Sequence, residues 1–255
     1  MKNKVAIIAF YTFKEGTRNR LFRLTLAGLL CLLGIAEFTG ELAVTETSNV
    51  QAALLASFSR WFLIMTSALF VITSMVREFN DKGTEQILSL PVSKAGYYFG
   101  KFFGFMSLSL IIAVSICIIL LLYTDFTWLA VWFVSLLCET AIIISVSMLC
   151  MFTFSNITIS FMVVIAFYLL SRSMEAIQLL SASPILESNS FSQEFMTALV
   201  NGIAYFLPDL NRFSNSEWLV YGIENSNLGV NLLQTLIYLA LLISAGLFDL
   251  SRKEF

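Results

Sequence analysis

The chain contains no histidine. That removes the commonest metal ligand and the commonest general base near neutral pH. Zinc sites of the Cys/His type are excluded, as are hydrolases whose serine or cysteine is activated by histidine. Charge is scarce too. Only 13% of the 255 residues are charged and 58% are hydrophobic, where soluble domains have roughly 25% and 45–50%. With a mean hydropathy of +0.84, no soluble core could hide this much apolar surface, and lipid must take it up. The net charge of −2 offers no basic excess for nucleic acid. The four cysteines, Cys31, Cys117, Cys138 and Cys150, lie inside apolar runs, form no Cys-x-x-Cys and read as small hydrophobes. Met148, Cys150 and Met151 are soft enough for copper, but only the two methionines share a helical face. No metal is expected.

A P-loop is missing as well. The nearest approach, Gly96 to Phe102, has three residues between its glycines instead of four. It also has Phe102 where a magnesium-binding hydroxyl is needed. The chain is therefore expected not to hydrolyse ATP. Gly96, Gly100 and Gly104 recur every four residues instead, as a small-residue ridge for close helix packing. The apolar stretch Val5–Phe13 is too short to span. It runs into Lys14-Glu15-Gly16-Thr17-Arg18-Asn19-Arg20 with no small-x-small cleavage site. Val5–Arg20 reads as an interfacial helix with its basic residues near lipid phosphates.

What is present is a series of long uncharged runs. A spanning helix needs ~20 mostly apolar residues. Phe102–Thr124 has 23 positions without a charge, and Asn225–Phe248 has 24. Phe126–Ser171 has 46 positions with one charge, Glu139, which suits two helices joined by a turn at Thr153–Thr158. Trp61–Val76 reaches spanning length if Arg60 snorkels. Leu24–Ala36 must continue past Glu37. The expected fold is all-α and membrane-integral, with six helices at about 24–43, 56–76, 100–123, 128–152, 157–179 and 230–248. With both termini in the cytoplasm, 12 of the 15 basic residues lie on the inner side, leaving Arg60, Arg172 and Arg212. The outer side then has a modest loop, Gly40–Leu55, and a large segment, 181–229. In that segment Gln193–Leu207 reads as a short helix dipping into the outer leaflet and stopped by Pro208.

Intramembrane charges are costly and mark functional sites by default. Glu139 lies about half-way along its helix. Arg172 and Glu175 are three apart and can pair on one face. These three are the candidate polar path. The inner loop, 77–99, is the other informative stretch. Thr84 can cap a short helix to Leu90, with Glu85 at its positive end, Gly83 turning into it and Pro91 ending it. Ser93 can cap the following helix.

Arg77-Glu78, then Lys82-Gly83-Thr84-Glu85-Gln86-Ile87-Leu88-Ser89-Leu90-Pro91-Val92-Ser93-Lys94, then Phe99-Gly100-Lys101, resembles the signature of ABC-2-type transporter permeases. The likeness is to the NosY-like branch, the permeases of multicopper enzyme maturation. Leu207-Pro208-Asp209-Leu210 and the basic tail 251–255 are similar to that branch too. The resemblance implies one permease domain over 1–255 with a type V exporter-like architecture, in a bacterial inner membrane. It implies a dimer of permeases, most simply a homodimer, and two copies of a separate ATPase subunit that binds ATP and Mg. It makes the inner loop a coupling helix. Ile87, Leu88 and Leu90 would fill a groove on the ATPase, and Arg77, Glu78, Lys82, Glu85 and Lys94 would contact its rim or act at the hinge. Segment 181–229 could dock an extracytoplasmic protein. The residues alone leave open a stand-alone secondary transporter and an intramembrane enzyme.

Overall fold

A computed structural model of the protein describes residues 2–42, 47–81, 83, 92–182, 191–222 and 228–252. Among them are nine α-helices, one 3₁₀ turn and no strand. The helices are α1 (Lys2–Arg18), α2 (Arg20–Leu42), α3 (Thr47–Asn80), α4 (Lys94–Leu120), α5 (Phe126–Phe154), α6 (Ile157–Ala182), α7 (Phe191–Phe206), α8 (Glu217–Tyr221) and α9 (Leu228–Arg252). Six of these, α2 to α6 and α9, are long and apolar enough to cross a membrane. They coincide with the six spans expected from the uncharged runs.

Local chemistry sets several helix ends. Ser93 caps α4, its Oγ accepting from the Gly96 amide at 3.1 Å. The turn between α5 and α6 falls at 155–156. Ser155 takes the left-handed conformation, φ 52°, that closes α5. Asn156 Oδ1 then accepts from the Thr158 amide at 2.9 Å and opens α6. Asn19 marks the break between α1 and α2, its Oδ1 accepting from the Leu21 amide at 3.2 Å. The segment expected to be interfacial is thus two pieces, α1 and the first turn of α2.

One connection differs from expectation. Gly40–Leu55 is mostly helix, because α2 runs to Leu42 and α3 starts at Thr47. Polar residues there are satisfied across the helix pair: Gln51 donates to Glu37 at 3.5 Å, and Tyr123 donates to the same carboxylate. Residues 43–46, between the two helices, lie outside the described residues.

Helix α5 is central and touches α3, α4, α6, α8 and α9. Its Trp132, Leu136, Ile142, Ile143, Met148 and Phe152 are buried. By contrast α2 and α9 show most of their surface. Helix α1 lies lengthwise and parallel along α4. A Cβ added at Gly100 would sit 2.7 Å from Ile8 Cγ2, and one at Gly104 would sit 2.6 Å from Thr12 Cβ. The glycine ridge therefore receives α1. The absence of side chains lets the two backbones approach.

Residues 191–222 form a hairpin that enters the bundle from the end opposite Lys94. Helix α7 runs antiparallel to α6, with Gln178 reaching Asn201 at 3.4 Å and Thr197 reaching the Ser181 carbonyl at 3.3 Å. The 3₁₀ turn Leu210–Arg212 follows, then α8 against α3 and α5. At the tip Leu210, Phe213 and Ser214 have no exposed surface. The tip meets α5 at Trp132 and Ser135, about 9–14 Å along the axis from Phe126 at 1.5 Å per residue. Non-helical backbone at that depth is tolerable only when protein satisfies it.

Gly104→Leu should dislodge α1 and lower stability by about 1–3 kcal/mol through overpacking. Gly34→Leu, at a glycine with nothing within 4 Å, should be close to neutral. Thermal unfolding in detergent measures both. Equal effects would mean that α1 does not rest on the ridge.

Candidate functional site

Two clusters of charge stand out, one at each half of the bundle. The first frames the loop between α3 and α4. Lys82, Thr84, Glu85, Ile87, Leu88, Leu90 and Pro91 lie outside the described residues. The arms on either side are described. Glu78 pairs closely with Lys101, and their side chains are only 11% and 5% exposed. Tyr97 donates its hydroxyl to the same carboxylate at 2.9 Å. Arg77 pairs with Glu15 of α1, which also accepts from Ser74 at 3.2 Å. Lys94 donates to the carbonyls of Leu250 and Ser251, at 3.2 and 3.1 Å, so a cation sits on the negative end of α9. A cavity of about 690 Å³ lies between α1 and these arms, lined by Lys4, Tyr11, Glu15, Arg77, Glu78 and Asp81 among others.

The expected rim contacts are thus partly turned inward. Glu78 and Lys94 bind within the chain, and Arg77 keeps half its side chain in the open. Gly96, Gly100 and Gly104 belong to the same frame, since the ridge they form fixes α1 beside it. The arms are a joint tied to α1, α4 and α9, and a force on the loop would reach all three.

The second cluster is deep in the bundle, around Glu139 of α5, which has no exposed surface. Arg172 of α6 approaches its Oε1 at 3.4 Å. The same Nη1 donates to the carbonyls of Leu210, at 2.8 Å, and Phe213, at 3.2 Å. Arg60 of α3 donates to the Ser214 carbonyl at 2.7 Å, and Trp132 Nε1 donates to that oxygen at 3.1 Å. The Ser214 amide donates to Ser135 Oγ at 3.0 Å. Three helices therefore hold the hairpin tip by its main chain.

Two expectations are corrected here. Arg172 is not paired with Glu175, although they are three apart. Glu139 and the tip carbonyls take its guanidinium, while Glu175 accepts from Asn211 at 2.6 Å. A guanidinium has five donors, and three acceptors clustered at one depth outcompete a single carboxylate one turn away. Arg60 does not snorkel. It is 8% exposed and bonded inward. Arg60, Trp132, Ser135 and Ser214 are the members that sequence reasoning missed. A signal existed: two arginines and one glutamate in apolar runs leave one cation needing neutral acceptors.

No protein-family model matches the sequence, and no curated protein matches it. The site is therefore read from its own geometry. Glu139 holds a buried guanidinium in place, and that guanidinium holds a loop. Glu139→Leu should lower stability by about 3–5 kcal/mol, because it leaves the buried Arg60 and the part-buried Arg172 with no acid. Glu139→Gln, which keeps the shape and an acceptor, should cost less. Unfolding of the purified protein checks this, and a Glu139→Leu protein as stable as the wild type would mean that the pair holds nothing.

Proposed function

We propose that the chain is the membrane-spanning permease subunit of an ABC transporter of the ABC-2 type, working with a separate ATPase subunit. The observation that carries this reading is the frame around the loop between α3 and α4. Each described residue of the sequence signature that carries charge or caps a helix is spent on stiffening that joint: Arg77 on α1, Glu78 on Lys101, Ser93 on the start of α4, Lys94 on the end of α9. A loop that receives mechanical work needs such a mounting. A solvated linker does not.

In this reading two copies of the chain pair in the membrane, and each seats its loop on one copy of the ATPase. ATP and Mg bind to that partner. Ile87, Leu88 and Leu90 enter its groove as a helix-in-groove contact. Closure of the ATPase pair moves the loops, and α3 and α4 carry the motion toward the hairpin. The output is export of a substrate across the bacterial inner membrane or a conformational change in an extracytoplasmic protein docked on 181–229. The basic end of the bundle faces the cytoplasm by the excess of Lys and Arg in its flanks. Both termini lie there.

Two experiments test the reading. Leu88→Asp should abolish co-purification of a subunit that carries a P-loop and hydrolyses ATP, because it puts a charge in an apolar groove. The variant should still insert in the membrane. Retention of that subunit at wild-type yield would remove Leu88 from the groove. In a background with the four cysteines changed to serine, Asn215→Cys should react with an impermeant thiol reagent in intact cells, and Asp81→Cys should not. The reverse pattern would invert the topology and sink the coupling model.

A further inference from the structure

The stretch from Lys14 to Arg23, where α1 breaks into α2, carries four cations and one acid, in a chain whose net charge is −2. Cations flank the inner ends of most membrane spans, so charge alone marks no site. Here the charges surround a space. A cavity of about 410 Å³ lies between the end of α1 and α3, walled by Tyr11, Lys14, Glu15, Arg18, Asn19 and Arg77. Three cations face one acid there, so the wall as a whole attracts an anion.

The wall also has positioned donors. Lys14 and Arg18 are one turn apart on α1 and share a face. Arg77 reaches the same space from α3. Glu15 pairs with Arg77 through one nitrogen, Nη2, and accepts from Ser74 at 3.2 Å as well. The guanidinium is thereby held in one pose while 54% of its side chain stays open. It has five N–H donors in a planar fork, the shape that matches two oxygens of a phosphate. Asn19 gives its Oδ1 to the Leu21 amide, which leaves its NH2 group as one more donor.

Depth names the source of the phosphate. The apolar run of α2 starts at Leu24, directly after Arg23, and that of α3 ends at Val76, directly before Arg77. Both spans leave the hydrocarbon at the level of the cavity, where lipid headgroups lie. Tyr11, 65% exposed, stands at that level as an interfacial aromatic. Leu24 is exposed too and begins the apolar surface that an acyl chain would follow. Basic pockets between spanning helices at this depth suit anionic headgroups.

We propose that the cavity between α1 and α3 is a binding site for the phosphate of an anionic phospholipid, held by Lys14, Arg18 and Arg77. The site rests on the six spans and not on the transporter reading. Glu15 and Arg77 belong both to it and to the frame around the loop between α3 and α4. A bound headgroup would therefore brace that frame.

Titration of the purified full chain in detergent with phosphatidylglycerol, read by native mass spectrometry, tests the site. The wild type should bind this lipid about tenfold more tightly than phosphatidylcholine, whose choline cancels the phosphate charge. The double variant Lys14→Gln, Arg18→Gln should weaken binding about 25-fold, at about 5-fold per cation. The double variant Arg20→Gln, Arg23→Gln removes as much charge from outside the cavity wall and should weaken it about 2-fold or less. All four residues are exposed, so both variants should unfold at the wild-type temperature in lipid-free detergent. Equal losses in the two variants would mean diffuse attraction to a charged surface and overturn the site. So would phosphatidylcholine binding as tightly as phosphatidylglycerol. Glycerol 3-phosphate, the headgroup without its chains, should not displace the lipid at equal concentration. Displacement would make the ligand a soluble phosphate and overturn the lipid assignment.

Discussion

The buried contact between Glu139 and Arg172 is the constraint on which the rest of the bundle depends. A carboxylate at that depth is tolerable only beside a cation. The cation in turn has donors to spare. Those donors hold the Leu210 and Phe213 carbonyls, and Arg60 holds the next one along. Remove the acid, and the guanidinium groups lose their reason to stay inside. Remove the guanidinium groups, and the Phe213 carbonyl loses its donor in an apolar interior while that of Ser214 is left to Trp132 alone. The hairpin, α3, α5 and α6 are thus fixed relative to one another by one charge and its neighbours, in a bundle whose other contacts are mostly non-directional packing.

Much of this was legible in the sequence. The six spans were, because lipid demands ~20 apolar residues in a row and charge interrupts such runs visibly. Ser93 as a cap and 153–158 as a turn were legible because capping and turn chemistry act over three or four residues. The use of the glycine ridge for packing was legible, though not the identity of its partner, α1. What stayed hidden has a common cause. Arg60 and Arg172 bind main-chain carbonyls, and a carbonyl has no residue identity. Nothing in Leu207–Ser216 distinguishes a surface turn from a tip held inside a bundle. The Arg172–Glu175 spacing suggested a local pair, and a tertiary cluster overrode it. The modest loop expected at Gly40–Leu55 failed for a related reason. Glu37, Gln51 and Tyr123 are far apart in sequence, and Glu37 accepts from the other two only once α2, α3 and the turn after α4 are together.

The two charge clusters differ in kind. At the basic end Glu78, Lys101, Arg77 and Glu15 pair acid with base, one to one. In the deep cluster one acid serves two bases, and backbone dipoles make up the difference. The first arrangement is stiff and balanced. Helix α3 carries a member of each, Glu78 near its end and Arg60 well inside, so any displacement of α3 is felt at both.

The order in which the chain is made gives Arg60 a further consequence. Its acceptor, the Ser214 carbonyl, lies 154 residues later. At about 5–20 residues per second of synthesis, that is a wait of roughly 8–30 s. During it α3 must enter the bilayer with an unanswered cation, an insertion penalty of about 2.5–3.5 kcal/mol if the residue is central. The rest of α3 is apolar enough to carry it in. The helix therefore begins life as a strained guest of the membrane and becomes comfortable only when the hairpin arrives.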